Sequence, residues 1–243
     1  MLFLAVLGAI WAAASKGGDA FLLPGPDDVL RALVTATRSG LLPRAVLRSL
    51  GRLCLGYSVS LAGGVVLGVC LARVRVVKDT VGVLVLGLQA VPSVCWLPLA
   101  LLWFGLGEAA IQVVIVLGSL LSITLATESA VNTIPPLLLR AARTMGARGL
   151  VLWTRVILPA ALPGIVSGAR LGWTFAWRSL LAGELLFISG GLGQVLEIGR
   201  ELHDMALVLG VMAVIVALGL ATDRLVFGLV EDRVRRAWGL DRS

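Results

Sequence analysis

The longest uncharged stretches of this chain are what most constrain it. Leu53–Ala72, Thr80–Gly107, Ala109–Thr127 and Met205–Thr222 contain no Asp, Glu, Lys or Arg. A helix needs ~20 mostly apolar residues to cross a bilayer. Ala160–Phe187 is equally apolar apart from Arg170, Arg178 and Glu184, and Met1–Ser15 is uncharged but short. These segments predict six spans, near 1–15, 50–72, 80–105, 109–130, 160–187 and 205–228. Composition agrees: 58% of the 243 residues are hydrophobic and 14% charged, against ~25% charged in soluble domains. A soluble enzyme, a disordered chain and a nucleic-acid module are excluded. The net charge of +7 fits basic flanks beside membrane spans better than a nucleic-acid surface. The expected class is an all-α integral membrane protein, one domain over 1–243.

The first segment has two readings. Ala12-Ala13-Ala14 resembles a leader-cleavage site, but no basic residue precedes the apolar run, which favours a retained span. Orientation follows from Lys and Arg. Arg73, Arg75 and Lys78 lie between spans two and three. Arg140, Arg143, Arg148 and Arg155 lie between spans four and five, and Arg224, Arg233, Arg235 and Arg236 follow span six. All three regions fall on one side, expected to be cytoplasmic. Lys16–Arg52 falls on the other side despite its own basic residues. Asp27 and the pattern Val29, Leu30, Leu33, Val34 predict a surface amphipathic helix there.

Two rows of small residues recur every four positions: Gly56, Ser60, Gly64, Gly68 on span two, and Gly164, Gly168, Gly172, Ala176 on span five. Such rows let helix backbones approach closely in a membrane. Pro92 and Pro98 are expected to interrupt span three, which is tolerated where backbone is buried or lines a cavity. No internal repeat is evident, which weakens an inverted-repeat carrier.

The stretch Asn132–Pro159 holds no acid. Asn132 or Thr133 can cap a helix with Pro135 and Pro136 in its first turn. Leu137, Leu138, Ala141, Ala142 and Met145 form its apolar face, and Gly146 stops it. A second short helix, Leu150–Ile157, is expected to end before Leu158-Pro159. A loop exposing this much apolar surface calls for a protein partner or for the lipid surface.

Arg140-Ala141-Ala142, three residues, Gly146, nine residues, then Val156-Ile157-Leu158-Pro159 resembles the signature loop of ABC importer permeases, in which Glu usually stands where this chain has Arg140. Trp96-Leu97-Pro98-Leu99, Trp103–Glu108, Gly168-Ala169-Arg170, Ala176-Trp177, Gly183-Glu184 and Gly191-Leu192-Gly193 resemble the subgroup that imports aliphatic sulfonates, taurine, nitrate and some thiamine-precursor pyrimidines. The resemblance implies a type I importer transmembrane domain in a bacterial cell membrane. It implies a coupling helix at 132–159 that docks on an ATPase through Leu138, Arg140, Ala141, Ala142, Met145, Gly146 and Ala147. The implied partners are a second permease copy, two ATPase subunits that bind ATP and Mg, and an extracytoplasmic solute-binding protein. The chain itself would hold no ATPase site and no cofactor.

Ionisable residues within a span are functional by default. On an ideal helix Arg170, Trp173, Trp177, Arg178 and Glu184 share one broad sector. With Gln89, Ser93 and Trp96 they are the expected translocation path, the arginines serving an anionic or zwitterionic solute. Arg170 could instead snorkel to the interface, and the tryptophans could anchor span ends. Cys54, Cys70 and Cys95 have no metal-ligand spacing, and His203 beside Asp204 reads as a loop residue. Ser189–Gly193 lacks the Lys-Ser/Thr of a phosphate loop. No catalytic set can be placed. An ion-coupled carrier and a membrane enzyme are the readings from other classes.

Overall fold

The structure is a computed structural model that describes residues 2–17, 24–186 and 189–237. In chain order it consists of α1 (Leu2–Gly17), α2 (Pro26–Arg38), α3 (Leu41–Arg73), α4 (Arg75–Gln89), α5 (Ser93–Phe104), α6 (Glu108–Asn132), α7 (Pro136–Thr144), α8 (Gly149–Leu185), α9 (Leu192–Glu201) and α10 (Met205–Val234). The described residues contain no strand. Helices α3, α6, α8 and α10 are each long and apolar enough to cross a membrane, and α4 with α5 makes a further, bent candidate. The helix over the first expected span has 16 residues, short of the ~20 that a perpendicular crossing takes. The chain divides into two compact units, 1–52 with 181–220, and 53–180 with 221–243.

In the first unit, α2 begins at Pro26, whose fixed φ suits a first turn, and Asp28 accepts a hydrogen bond from the Gly25 N–H at 3.2 Å. Its apolar pattern splits: Val29 and Ala36 are buried, Leu33 lies against Gly210, and Leu30 and Val34 are exposed. Only Ser39 and Gly40 separate α2 from α3. Gly40 has φ +76°, a left-handed conformation that favours glycine, and its N–H donates to Thr37 O. Arg44, Arg48 and Arg52 therefore stand on the opening turns of α3 rather than in a surface loop, because a two-residue turn leaves nowhere else for them.

In the second unit α6 is gripped from two sides by the small-residue rows. A methyl group added at Gly56 would lie 2.7 Å from Ile115, at Gly64 2.9 Å from Ile123, and at Gly68 2.6 Å from the Thr124 carbonyl oxygen. On α8 one added at Gly164 would lie 2.6 Å from Ala130, while Gly168 abuts Ala126 and Gly172 abuts Ile123. Rising numbers on α3 meet rising numbers on α6, whereas α8 runs the other way. Close approach without a hydrophobic driving force is what such residues permit in lipid.

The chain turns by 103° between α4 and α5. Ala90 and Val91 close α4 with i→i+3 bonds to Gly87 O and Leu88 O, and Pro92 has no N–H to continue the ladder. Pro98 breaks nothing. It sits in the first turn of the Leu97–Phe104 helix, where the missing N–H has no partner to lose.

Candidate functional site

The segment after α6 is a compact foot. Asn132 and Thr133 end α6 rather than starting α7: the Asn132 amide donates to Glu128 Oε1 at 3.3 Å, and the Thr133 hydroxyl donates to Ser129 O. Pro135 occupies the cap position and α7 begins at Pro136. It ends in a Schellman motif. Gly146 adopts φ +90°, its N–H donates to Arg143 O, and the Ala147 N–H donates to Ala142 O at 3.0 Å. Ala142 and Ala147 turn inward onto a cluster with Val131, Ile134, Leu152, Ile157 and Ala161. Leu138, Arg140, Ala141, Met145 and Gly146 face outward, with Met145 89% exposed. A hollow of about 340 Å³ opens beside them, lined in part by Met145, Val151 and Arg155.

The expected second short helix does not stop at Leu158-Pro159. It continues as α8 from Gly149 to Leu185, with a π-helical turn at Trp153–Ile157 just where the Pro159 ring would crowd the preceding turn. The foot thus passes without a break into a span. Arg73 lies over the Trp153 ring at 5.5 Å, and Lys78 pairs with Glu128 at 2.9 Å.

The residues on one helical sector of α8 go to different neighbours. A wheel gives an angle but not which helix lies beside each turn, and 14 residues span ~21 Å. Arg170 is held by acids of α10: its Nε and Nη2 donate to Asp223 at 2.6 Å each, and Nη1 donates to Glu231 at 3.0 Å. Trp173 donates from Nε1 to Thr222 Oγ1 at 3.2 Å. It also meets the Tyr57 ring edge-on at 4.9 Å, and Tyr57 donates to Ala169 O at 2.8 Å. Trp177 is buried and meets Trp173 edge-on, its indole N–H without a partner among the described residues. Asp223→Asn removes the charge that accepts from Arg170 Nε and Nη2 and is expected to lower the thermal midpoint of the purified protein.

Glu184 belongs to the first unit and is fully buried. Its carboxylate accepts from the Ser49 hydroxyl (2.7 Å), from Arg52 Nη1 (2.8 Å) and from the Gly193 N–H (3.0 Å) in the first turn of α9. The Leu192 N–H in turn donates to Ser49 Oγ at 2.8 Å. Ser49, Arg52, Asp223 and Glu231 were not legible as partners in the sequence. Arg52 and Asp223 carry one signal, since each borders an uncharged stretch.

The remaining members meet at the break in the bent pair. Gln89, Ser93, Trp96 and Arg178 line a cavity of about 270 Å³ together with Leu117, Leu121, Ser122 and Phe175. Gln89 Nε2 donates weakly to Ser122 Oγ at 3.4 Å. The described residues hold no cluster of metal-ligating side chains, and His203 ends α9 with φ 55°.

Residues 64–236 match the family of binding-protein-dependent transport system inner membrane components. A putative ABC transporter permease protein of Methanocaldococcus jannaschii is 32% identical over 208 residues, 84% of this chain and 78% of that one. The taurine transport system permease protein TauC of Escherichia coli is 31% identical over 220 residues, 87% and 80% of the two chains. The riboflavin transport system permease protein RibX of Chloroflexus aurantiacus is 32% identical over 216 residues, 89% and 80%. Among solved structures, the inward-facing MetNI methionine ABC transporter aligns with a TM-score of 0.65 and 25% identity, over 81% of this chain and 95% of that one. An all-helical bundle with a broken span, a helical foot carrying the signature spacing and matches over most of its length place this chain in one family: it is a binding-protein-dependent transport system inner membrane component, the permease subunit of an ABC importer.

Proposed function

We propose that this permease carries a small oxyanionic or zwitterionic solute, of the sulfonate or taurine kind, into the cytoplasm by alternating access. The observation that carries the coupling part is the foot itself. Its apolar, basic outer face is presented on α7, and its inner face is sealed onto the start of α8, whose later turns reach the cavity at Arg178. Two copies of the chain form the conducting unit. An ATPase seats on each foot through Leu138, Arg140, Ala141, Met145 and Gly146, while Ala142 and Ala147 hold the foot's shape. ATP and Mg belong to the ATPases. A solute-binding protein delivers the solute from outside. ATP binding draws the feet together, and differential contact energy in the two states shifts the bundle from one opening to the other. Arg140, in place of the family's usual acid, gives the docking face a positive charge there.

The solute class rests on the likeness to the taurine permease and on the basic cavity. The likeness to a riboflavin permease favours a larger aromatic solute as the second reading.

The test is Gly146→Trp in the complete transporter, reconstituted with ATPase and binding protein in proteoliposomes. An indole at a left-handed position on the outer face spoils both the helix stop and the docking fit. ATP-driven uptake of radiolabelled taurine is expected to fall to the level seen without ATP, with normal amounts of permease in the membrane. Undiminished uptake would sink the coupling assignment, and wild-type transporter that takes up no sulfonate would sink the solute class.

A further inference from the structure

We propose that the cavity at the break between α4 and α5 is an oxyanion-binding subsite within the permease, with Arg178 as its charged donor, so that solute selection does not rest with the binding protein alone. Arg52, Arg170 and Arg178 are three of the arginines that the span helices carry. Arg52 is paired with Glu184, and Arg170 with Asp223 and Glu231. Arg178 has no acid partner among the described residues. Its guanidinium lies 5.8 Å from the Phe175 ring centre, one turn away on the same helix, and it is exposed. An arginine without an acid partner on a membrane helix is costly to keep dry, so such residues face water or an anion. Arg178 faces this cavity.

The other walls fit the same ligand. Among the described residues no carboxylate lines the cavity. Gln89, Ser93 and Ser122 add an amide and two hydroxyls that can donate to oxygen. Trp96 and Phe175 offer apolar faces for a short carbon chain. The bent backbone is the kind of irregularity that membrane proteins keep only around buried or wet sites. A guanidinium fork, neutral donors and an apolar wall in about 270 Å³ describe a site for a small organic oxyanion. An anionic lipid head group shares that chemistry and is the alternative source.

This inference rests on the importer reading only in placing the cavity on the solute's route. The test uses the permease with its ATPase subunits in phosphatidylcholine nanodiscs, without the binding protein, titrated calorimetrically with ethanesulfonate and with neutral ethanesulfonamide. Ethanesulfonate is expected to bind and the sulfonamide to bind about tenfold or more weakly. Arg178→Gln is expected to weaken ethanesulfonate by about tenfold or more, the worth of a hydrogen bond to a charged group. Arg178→Lys should recover part of the affinity, and Ser122→Ala should lose less than Arg178→Gln. The sulfonamide should be indifferent to all three. Equal affinity of wild type and Arg178→Gln, or of the two ligands, overturns the proposal. So does a cavity that ignores ethanesulfonate but binds phosphatidylglycerol through Arg178. If ethanesulfonate binds through Arg178 while the complete transporter imports no sulfonate, the subsite stands and the solute class falls. If sulfonates are imported with the same KM by wild type and Arg178→Gln, the subsite falls and the importer reading stands.

Discussion

Glu184→Ala is expected to destabilise the protein by about 3–5 kcal/mol, the cost of stranding one member of a buried ion pair. Glu184 is wholly buried and Arg52 is 6% exposed. Removing the carboxylate leaves the Arg52 guanidinium without its counter-charge, the Ser49 hydroxyl without its acceptor and the Gly193 N–H without its cap. Arg52 would keep its bond to the Ser189 carbonyl, which carries no charge to balance the guanidinium. The effect should appear as a large fall in the thermal midpoint of detergent-purified protein and as poor accumulation in the membrane. Glu184→Leu combined with Arg52→Met is expected to recover much of the loss, since an apolar pair of similar volume carries no stranded charge. An unchanged midpoint in Glu184→Ala would show that the pair is not formed. The same geometry bears on function: a fully buried carboxylate that already accepts from three donors is poorly placed to meet a passing solute. Glu184 thus fits a fixed strut between α8, α3 and the start of α9 within the first unit better than a path-lining role.

The second large effect is expected at Gly68. A methyl group there would sit 2.6 Å from the Thr124 carbonyl oxygen and 2.6 Å from Thr127 Cβ. The first obstacle is backbone, so no rotamer change relieves it. Gly68→Leu must push α3 off α6, at the upper end of the about 1–3 kcal/mol typical of overpacking or beyond it. Loss of assembled protein by gel filtration and a lowered thermal midpoint are the readouts. Gly164→Leu should behave alike on the other side of α6, where Ala130 blocks the position. If both variants melt like wild type, α6 is not held between the two rows.

Much of this architecture was legible in the residues because membrane helices obey local rules. Length and apolarity marked α3, α6, α8 and α10, the four-residue rows marked the contact faces, and Pro92 marked the break. The foot was legible from Pro136, the apolar face of α7 and the Gly146 stop. Boundaries were less so. Asn132 and Thr133 have the chemistry of helix starters yet close the preceding helix, because their acceptors on α6 lie one turn back. Leu158-Pro159 reads as a stop, yet a π turn carries the helix through it.

What the sequence alone determined is a membrane-embedded helical bundle with a basic helical foot, since burial of apolar length, backbone satisfaction and glycine's backbone freedom act over a few residues. What the tertiary structure decided is which arginines pair with acids inside the protein and which do not. Arg52, Arg170 and Arg178 look alike in sequence. Their acid partners lie 132 and 53 residues away for the first two, the third has no acid partner among the described residues, and no local pattern encodes contacts at that separation.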